Sequence, residues 1–302
     1  MASSSFAKFF SLFSLLFTCL SWAQTLPPGV NDRKEPQGPL KIAVDWSLLN
    51  YDGNFWQNDR SQVNVMCSAH LTFKKPVSEL FTDGQLWKMA KDAYDEMMIE
   101  LDQYGIAIDP AYPLNHKKNM QRQRWRPNAM GIMAWGNEII LASSQKGQWF
   151  SVGAKTWTPV RDDLEACQKA NWDSVKPPGN DDKGPEHRTK GSCAEEMLAH
   201  QYYLAHGADR DTIKARTPIR DLNPQAVLAT WVRSATEDYP SHTSPCDPEK
   251  KGEWGCKTFV GTGKGGQNFR VIENTEADQD YTMPSDVLID QIELCGNRRT
   301  FM

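Results

Sequence analysis

Past its first two dozen residues, the 302-residue sequence has no apolar run near the ~20 residues a membrane-spanning helix requires. It has no Asn-x-Ser/Thr sequon, so no N-linked glycan is expected. It has little excess charge: the formal net charge is −4, which excludes general attraction to nucleic acid or anionic membrane and leaves such contact to a local patch. No internal repeat is present. The glycine-rich "GTGKGG" at 261–266 lacks the spacing and terminal Ser/Thr of a phosphate cradle and reads as a flexible loop.

What is present begins with Lys8, the apolar stretch Phe9 to Leu20, and small residues at Ser21 and Ala23. That pattern reads as a signal peptide over 1–23, with Gln24 as the first mature residue, a secreted product and no membrane contact after cleavage. Residues 24–40, rich in Pro, Gly and charge, read as a mobile leader. Of seven cysteines, Cys19 leaves with the signal. Cys67, Cys167, Cys193, Cys246, Cys256 and Cys295 are an even set, which in an oxidising compartment allows complete disulfide pairing.

The remainder, 41–302, reads as a single α/β domain. β-branched and aromatic residues predict strands over 41–49 and 62–73. The spacing of Leu86, Ala90, Ala93, Met97, Leu101 and Tyr104 predicts a long helix over 82–105, with Thr82 or Asp83 as cap. Two apolar runs around Gly136-Asn137 predict a hairpin over 129–143. A short helix over 161–170, a loop over 173–191 and a helix from Ser192 to about Gly207 follow. Then come a strand over 224–233, a turn-rich loop from Pro240 to Gly255, a strand over 268–274 and a closing helix or strand over 286–294. Hairpin and crossover connections together imply helices packed on a mixed sheet.

The stretch "GSCAEEMLAH" carries the chemistry. Cys193 in the first helical turn gains from the partial positive charge there, which favours the thiolate that binds metal. Glu195 lies near the same end. Cys246 and Cys256, after the next strand, would complete three ligands with one open position. The same residues allow a second reading: Ser192 and Glu195 form a capping box, and Cys246 and Cys256, with nine residues between them, pair as a disulfide.

The order of helix, hairpin, helix opening with Cys-x-Glu, strand and then Pro245-Cys246 resembles the cytidine-deaminase-like superfamily, especially the secreted-toxin type of nucleic-acid deaminase. The resemblance covers about residues 82–275. It implies a three-layer α/β/α fold with a mixed sheet, here with an N-terminal strand-rich extension. It further implies Zn²⁺ held by Cys193, Cys246 and Cys256, proton transfer by Glu195, and hydrolysis of the exocyclic amine of a nucleobase, in a nucleoside or a single-stranded nucleic acid. The family spaces its last two ligands by two residues; this chain does not.

The basic stretch with Lys117, Lys118, Arg122, Arg124 and Arg126 around Trp125 is a candidate for phosphate contact and base stacking. His200 and His206 lie too far along their helix to share its first turn and read as packing or surface residues. The competing functional class is a disulfide-stabilised, non-catalytic secreted effector or binding protein.

Overall fold

The computed structural model describes residues 33–49, 64–104, 126–147, 157–177, 179, 184–185, 187–233, 241–242, 244–246, 254–272, 279–295 and 298–301. The chain divides into two compact units, Met1–Arg33 and Lys34–Met302. The segment read as a signal peptide lies outside the described residues, as do Lys117, Lys118, Arg122, Arg124 and Trp125.

In chain order the elements are β1 (Ala43–Val44), α1 (Trp46–Leu49), β2 (Cys67–Thr72), α2 (Val77–Leu80), α3 (Asp83–Gln103), β3 (Ala129–Trp135), β4 (Glu138–Ser143), α4 (Pro159–Val175), α5 (Ala194–Leu204), α6 (Arg210–Ala215), β5 (Val227–Val232), β6 (Ser241–His242), α7 (Cys256–Val260), β7 (Arg270–Val271), β8 (Leu288–Ile292) and β9 (Arg298–Thr300). The strands form one sheet in the order β6-β5-β3-β4-β2-β8-β9, with β1 on β2 and β7 on β5. Every pairing is antiparallel except β5 with β7, so the sheet is mixed.

Helices cover both faces, and neighbouring residues of β5 show how. Trp231 points to α3, its ring centroid 4.7 Å from that of Trp87 and its Nε1–H donating to the Trp87 carbonyl at 2.9 Å. Thr230, one residue earlier and therefore on the opposite face, donates to Glu195 of α5 at 3.3 Å. Helix α3 begins as a capping box: the Gln85 N–H donates to Thr82 Oγ1 and the Thr82 N–H to Gln85 Oε1. All six apolar positions read as one face of this helix are buried. Two acids on the same helix, Glu96 and Glu100, accept from the N–H groups of Leu40 and Val44 and so dock the preceding segment. Burial pushes the Glu100 carboxyl up to about 7.

Several expectations are corrected. The leader expected over 24–40 is docked from Lys34 onward, where the backbone N–H donates to the Tyr104 hydroxyl and Leu40 is fully buried. The strand expected over 41–49 is broken after Val44, because Asp45 turns the chain into α1 by accepting from the Leu48 N–H at 2.9 Å. The strands before residue 82 are not an added extension: β2 lies inside the sheet, between β4 and β8. Helix α4 runs over 159–175 rather than 161–170, entered through Pro159 at its first turn. The closing segment is strand β8. The glycine loop is built for close approach: a Cβ at Gly265, whose φ is 84°, would sit 2.3 Å from the Asp163 carbonyl oxygen on α4.

Candidate metal centre

Helix α5 is buried along its whole length, between the sheet and α4 and α7. It lies close to the sheet because Gly131 of β3 has no side chain; a Cβ there would be 2.8 Å from Leu198 Cδ1 and 3.2 Å from Ala194 Cβ. That contact fixes the first turn of α5, where Cys193 and Glu195 stand. The N-cap is Cys193, not Ser192, and no side chain caps the helix. The capping-box reading of Ser192 and Glu195 therefore fails; the Glu195 carboxylate turns into the protein and accepts from Thr230.

Cys256 opens α7 beside this turn, and the chain folds back so that the Lys257 N–H donates to the Cys246 carbonyl at 3.1 Å. The Cys256 N–H donates to Cys246 Sγ at 3.3 Å. One ligand atom each from His187, Cys193, Cys246 and Cys256 then lie within 4.8 Å of one another. Cys246 and Cys256 have their sulfurs 3.5 Å apart, so no disulfide joins them. Three thiolates at ~2.3 Å from a tetrahedral Zn²⁺ are roughly 3.8 Å apart, so the sulfurs are close to the spacing of a ligand set. The carboxylates of Glu195 and Glu196 also come within 4.8 Å of the Cys193 and Cys256 sulfurs.

The electrostatics fit a cation. Hydrogen bonds from the Cys193 and Cys256 thiols pull the Cys246 thiol down to about 2, while the same sharing raises Cys193 and Cys256. The three sulfurs thus share protons that a divalent ion would displace. Burial raises both Glu195 and Glu196. Burial also pushes His187 down to about 4, so its ring is neutral. A His/Cys/Glu cluster of this kind can hold a metal ion.

No protein-family model, curated protein or solved structure matches this chain.

The site therefore rests on its own geometry. The structure brings together the four residues singled out for it, Glu195, Cys193, Cys246 and Cys256. Arg126, the one described member of the basic stretch, is half-buried with Nη2 3.0 Å from Met98 Sδ on α3. His200 is buried with Nδ1 2.7 Å from Thr158 Oγ1, and the exposed His206 is 3.3 Å from Glu138. Three participants escaped the sequence reading: His187, Glu196 and Thr189, whose Oγ1 is 3.0 Å from Cys193 Sγ. His187 and Thr189 sit in a polar loop and reach the centre only because that loop is pinned, with the Arg188 N–H on the Trp254 carbonyl and Trp254 Nε1–H on the Pro185 carbonyl.

Proposed function

We propose that this protein is a secreted, zinc-dependent deaminase that hydrolyses the exocyclic amine of a nucleobase. The observation that carries the reading is the convergence of Cys193, Cys246 and Cys256 beside a buried Glu195 at the start of one helix. The element order supports it, since α3, the β3–β4 hairpin, α5, β5 and α7 occur in the deaminase-like order with Cys193 at the start of α5, although Cys246 and Cys256 are spaced more widely than the family's last two ligands. Secretion is part of the proposal and rests on the pattern of residues 1–23.

In this reading Cys193, Cys246 and Cys256 hold the ion, which when bound makes water acidic enough to serve as a nucleophile near neutral pH. Glu195 moves the protons. Its buried carboxyl has a raised pKa and one oxygen fixed by Thr230, so it can pass one proton of the attacking water to the ring nitrogen and then pass the remaining hydroxyl proton to the amine, which departs as ammonia as the carbonyl forms. Thr230 is a positioning residue, since its hydroxyl acts through the Glu195 carboxylate. The site lies under helix and loop with Cys256 and Glu196 fully shielded, which suits a flipped or single base better than a paired one.

Purified protein, metal analysis and a deamination assay on cytidine, adenosine and single-stranded oligonucleotides test the proposal together. One zinc per chain and release of ammonia are expected, and a chain that binds no divalent metal would overturn it. A second reading, a metal-stabilised binding protein without catalysis, draws on His187 as a fourth donor that would close the site.

A further inference from the structure

The choice between an open and a closed centre turns on which His187 nitrogen carries the proton. His187 Nδ1 faces donors on the loop it belongs to. The backbone N–H groups of Thr189 and Gly191 both donate to it, each at 3.3 Å, and Thr189 Oγ1 is 3.0 Å away. A nitrogen accepting from two amides cannot itself bear hydrogen. In a neutral ring the proton is therefore on Nε2, the nitrogen turned toward the centre. Nε2 lies 3.7 Å from Cys256 Sγ, in hydrogen-bond geometry, and 3.3 Å from Glu196 Oε1, a contact too poorly aligned to be a hydrogen bond.

A histidine that binds a metal through one ring nitrogen has the proton on the other and donates it outward. His187 has the reverse arrangement, fixed by two backbone amides that cannot turn round. We propose that His187 is not a metal ligand but a positioning residue whose Nε2–H donates to the Cys256 thiolate, so that the centre has three sulfur ligands and one open position. The inference rests on the metal-site reading above and deepens it. Three thiolates put a net negative charge on a Zn²⁺ centre and make a bound water less acidic; an N–H donated to one sulfur draws charge from it and offsets that loss. Trp254, with its ring centroid 4.7 Å from that of His187, keeps the imidazole in place.

Full-length protein loaded with Co²⁺ alone provides the test. X-ray absorption at the cobalt edge is expected to show three sulfur neighbours and no outer-shell imidazole scattering. In His187→Ala the three sulfurs should remain, while the thiolate-to-cobalt charge-transfer band moves to longer wavelength because Cys256 has lost its donor. His187→Gln, which keeps an N–H at the end of the side chain, should bring the band back toward its original position. Cobalt affinity in His187→Ala should fall about 10- to 100-fold, as for other residues that support a ligand. Imidazole scattering that disappears in His187→Ala would make His187 a ligand and overturn the inference while leaving the metal site standing. An unshifted band in His187→Ala would overturn it too, and a protein that takes up no cobalt would overturn both readings.

Discussion

Cys246 and Cys256, ten positions apart in the chain, place their sulfurs 3.5 Å from each other, with the Cys256 N–H directed at Cys246 Sγ. Two sulfurs ten positions apart thus stand close to the spacing that ligands of one metal ion require. Replacing Cys246 with Ser should reduce bound zinc from one equivalent to well below it. Chelator treatment of the wild type should lower Tm, because metal binding joins the 187–193 loop to the 246–256 segment and contributes to folding. Equal Tm with and without chelator would count against a bound metal.

Glu195 and its neighbour Glu196 separate chemistry from burial. Glu195→Gln should cut turnover by at least ~100-fold, the usual contribution of a positioned acid–base group, with little change in Tm since no cap is lost. Glu196→Gln should leave the fold intact or slightly more stable, because burial raises that carboxyl well above its ordinary value and a neutral amide suits the same surroundings. Thermal melts and ammonia release on both variants check this. Full turnover in Glu195→Gln would remove its catalytic role.

Gly131 sets the height of α5 above the sheet. Gly131→Val should destabilise the protein by about 1–3 kcal/mol through overpacking against Leu198 and Ala194. Because Ala194 lies between Cys193 and Glu195, metal affinity should fall as well. A denaturant melt paired with a zinc titration reads both effects, and loss of stability with unchanged affinity would uncouple the helix position from the site.

A buried charge network at the other end of the sheet makes stability depend on pH. His70 has Nε2 2.9 Å from Glu138 and Nδ1 2.9 Å from Asp290. Burial lowers its pKa, but hydrogen bonds to Asp290 and Glu138 outweigh burial and the net shift is upward from 6.5. Its stabilising contribution is therefore complete below about pH 6.5 and lost as pH rises through the elevated folded value. Asp290 shifts the other way. Burial raises it, but the bonds from His70 and Arg298 bring the net value below 3.8, so its contribution is lost only as pH falls through that lowered value. Melts of wild type and His70→Asn across pH 5–9 should converge toward high pH; a constant difference would refute the assignment.

The basic stretch can now be tested without its structural member. Arg126 packs on α3, so Lys117, Arg122 and Arg124 are the residues to change. If the substrate is single-stranded nucleic acid, replacing these three with Gln should lower the log–log salt slope of binding by about 2, from ~0.7 per phosphate contact. Turnover of a free nucleoside should be unchanged. An unchanged slope would point to a small-molecule substrate.

The sequence by itself determined the elements whose periodicity is strong and local. The α3 stripe from Leu86 to Tyr104, the Thr82 cap and the turn at Gly136-Asn137 all act over a few residues, and the structure has each of them. Cys193, Glu195, Cys246 and Cys256 were legible as a group because their residue types and order carry chemistry. Whether Cys246 and Cys256 stand as separate thiols or join as a disulfide was not legible, since spacing alone allowed both; their sulfurs lie 3.5 Å apart, unbonded. Only the tertiary structure decided what depends on distant contacts. Asp45 ends β1 by accepting from Leu48 and also from the N–H of Leu294, at 2.7 Å. Glu195 leaves its cap position because Thr230, on a strand packed against the helix, offers a buried partner. His187 reaches the thiols because Trp254 pins its loop, and its proton lies on Nε2 because two amides of that loop occupy Nδ1. Such roles depend on the direction of a single hydrogen bond, and chain order carries no information about direction until the chain has folded.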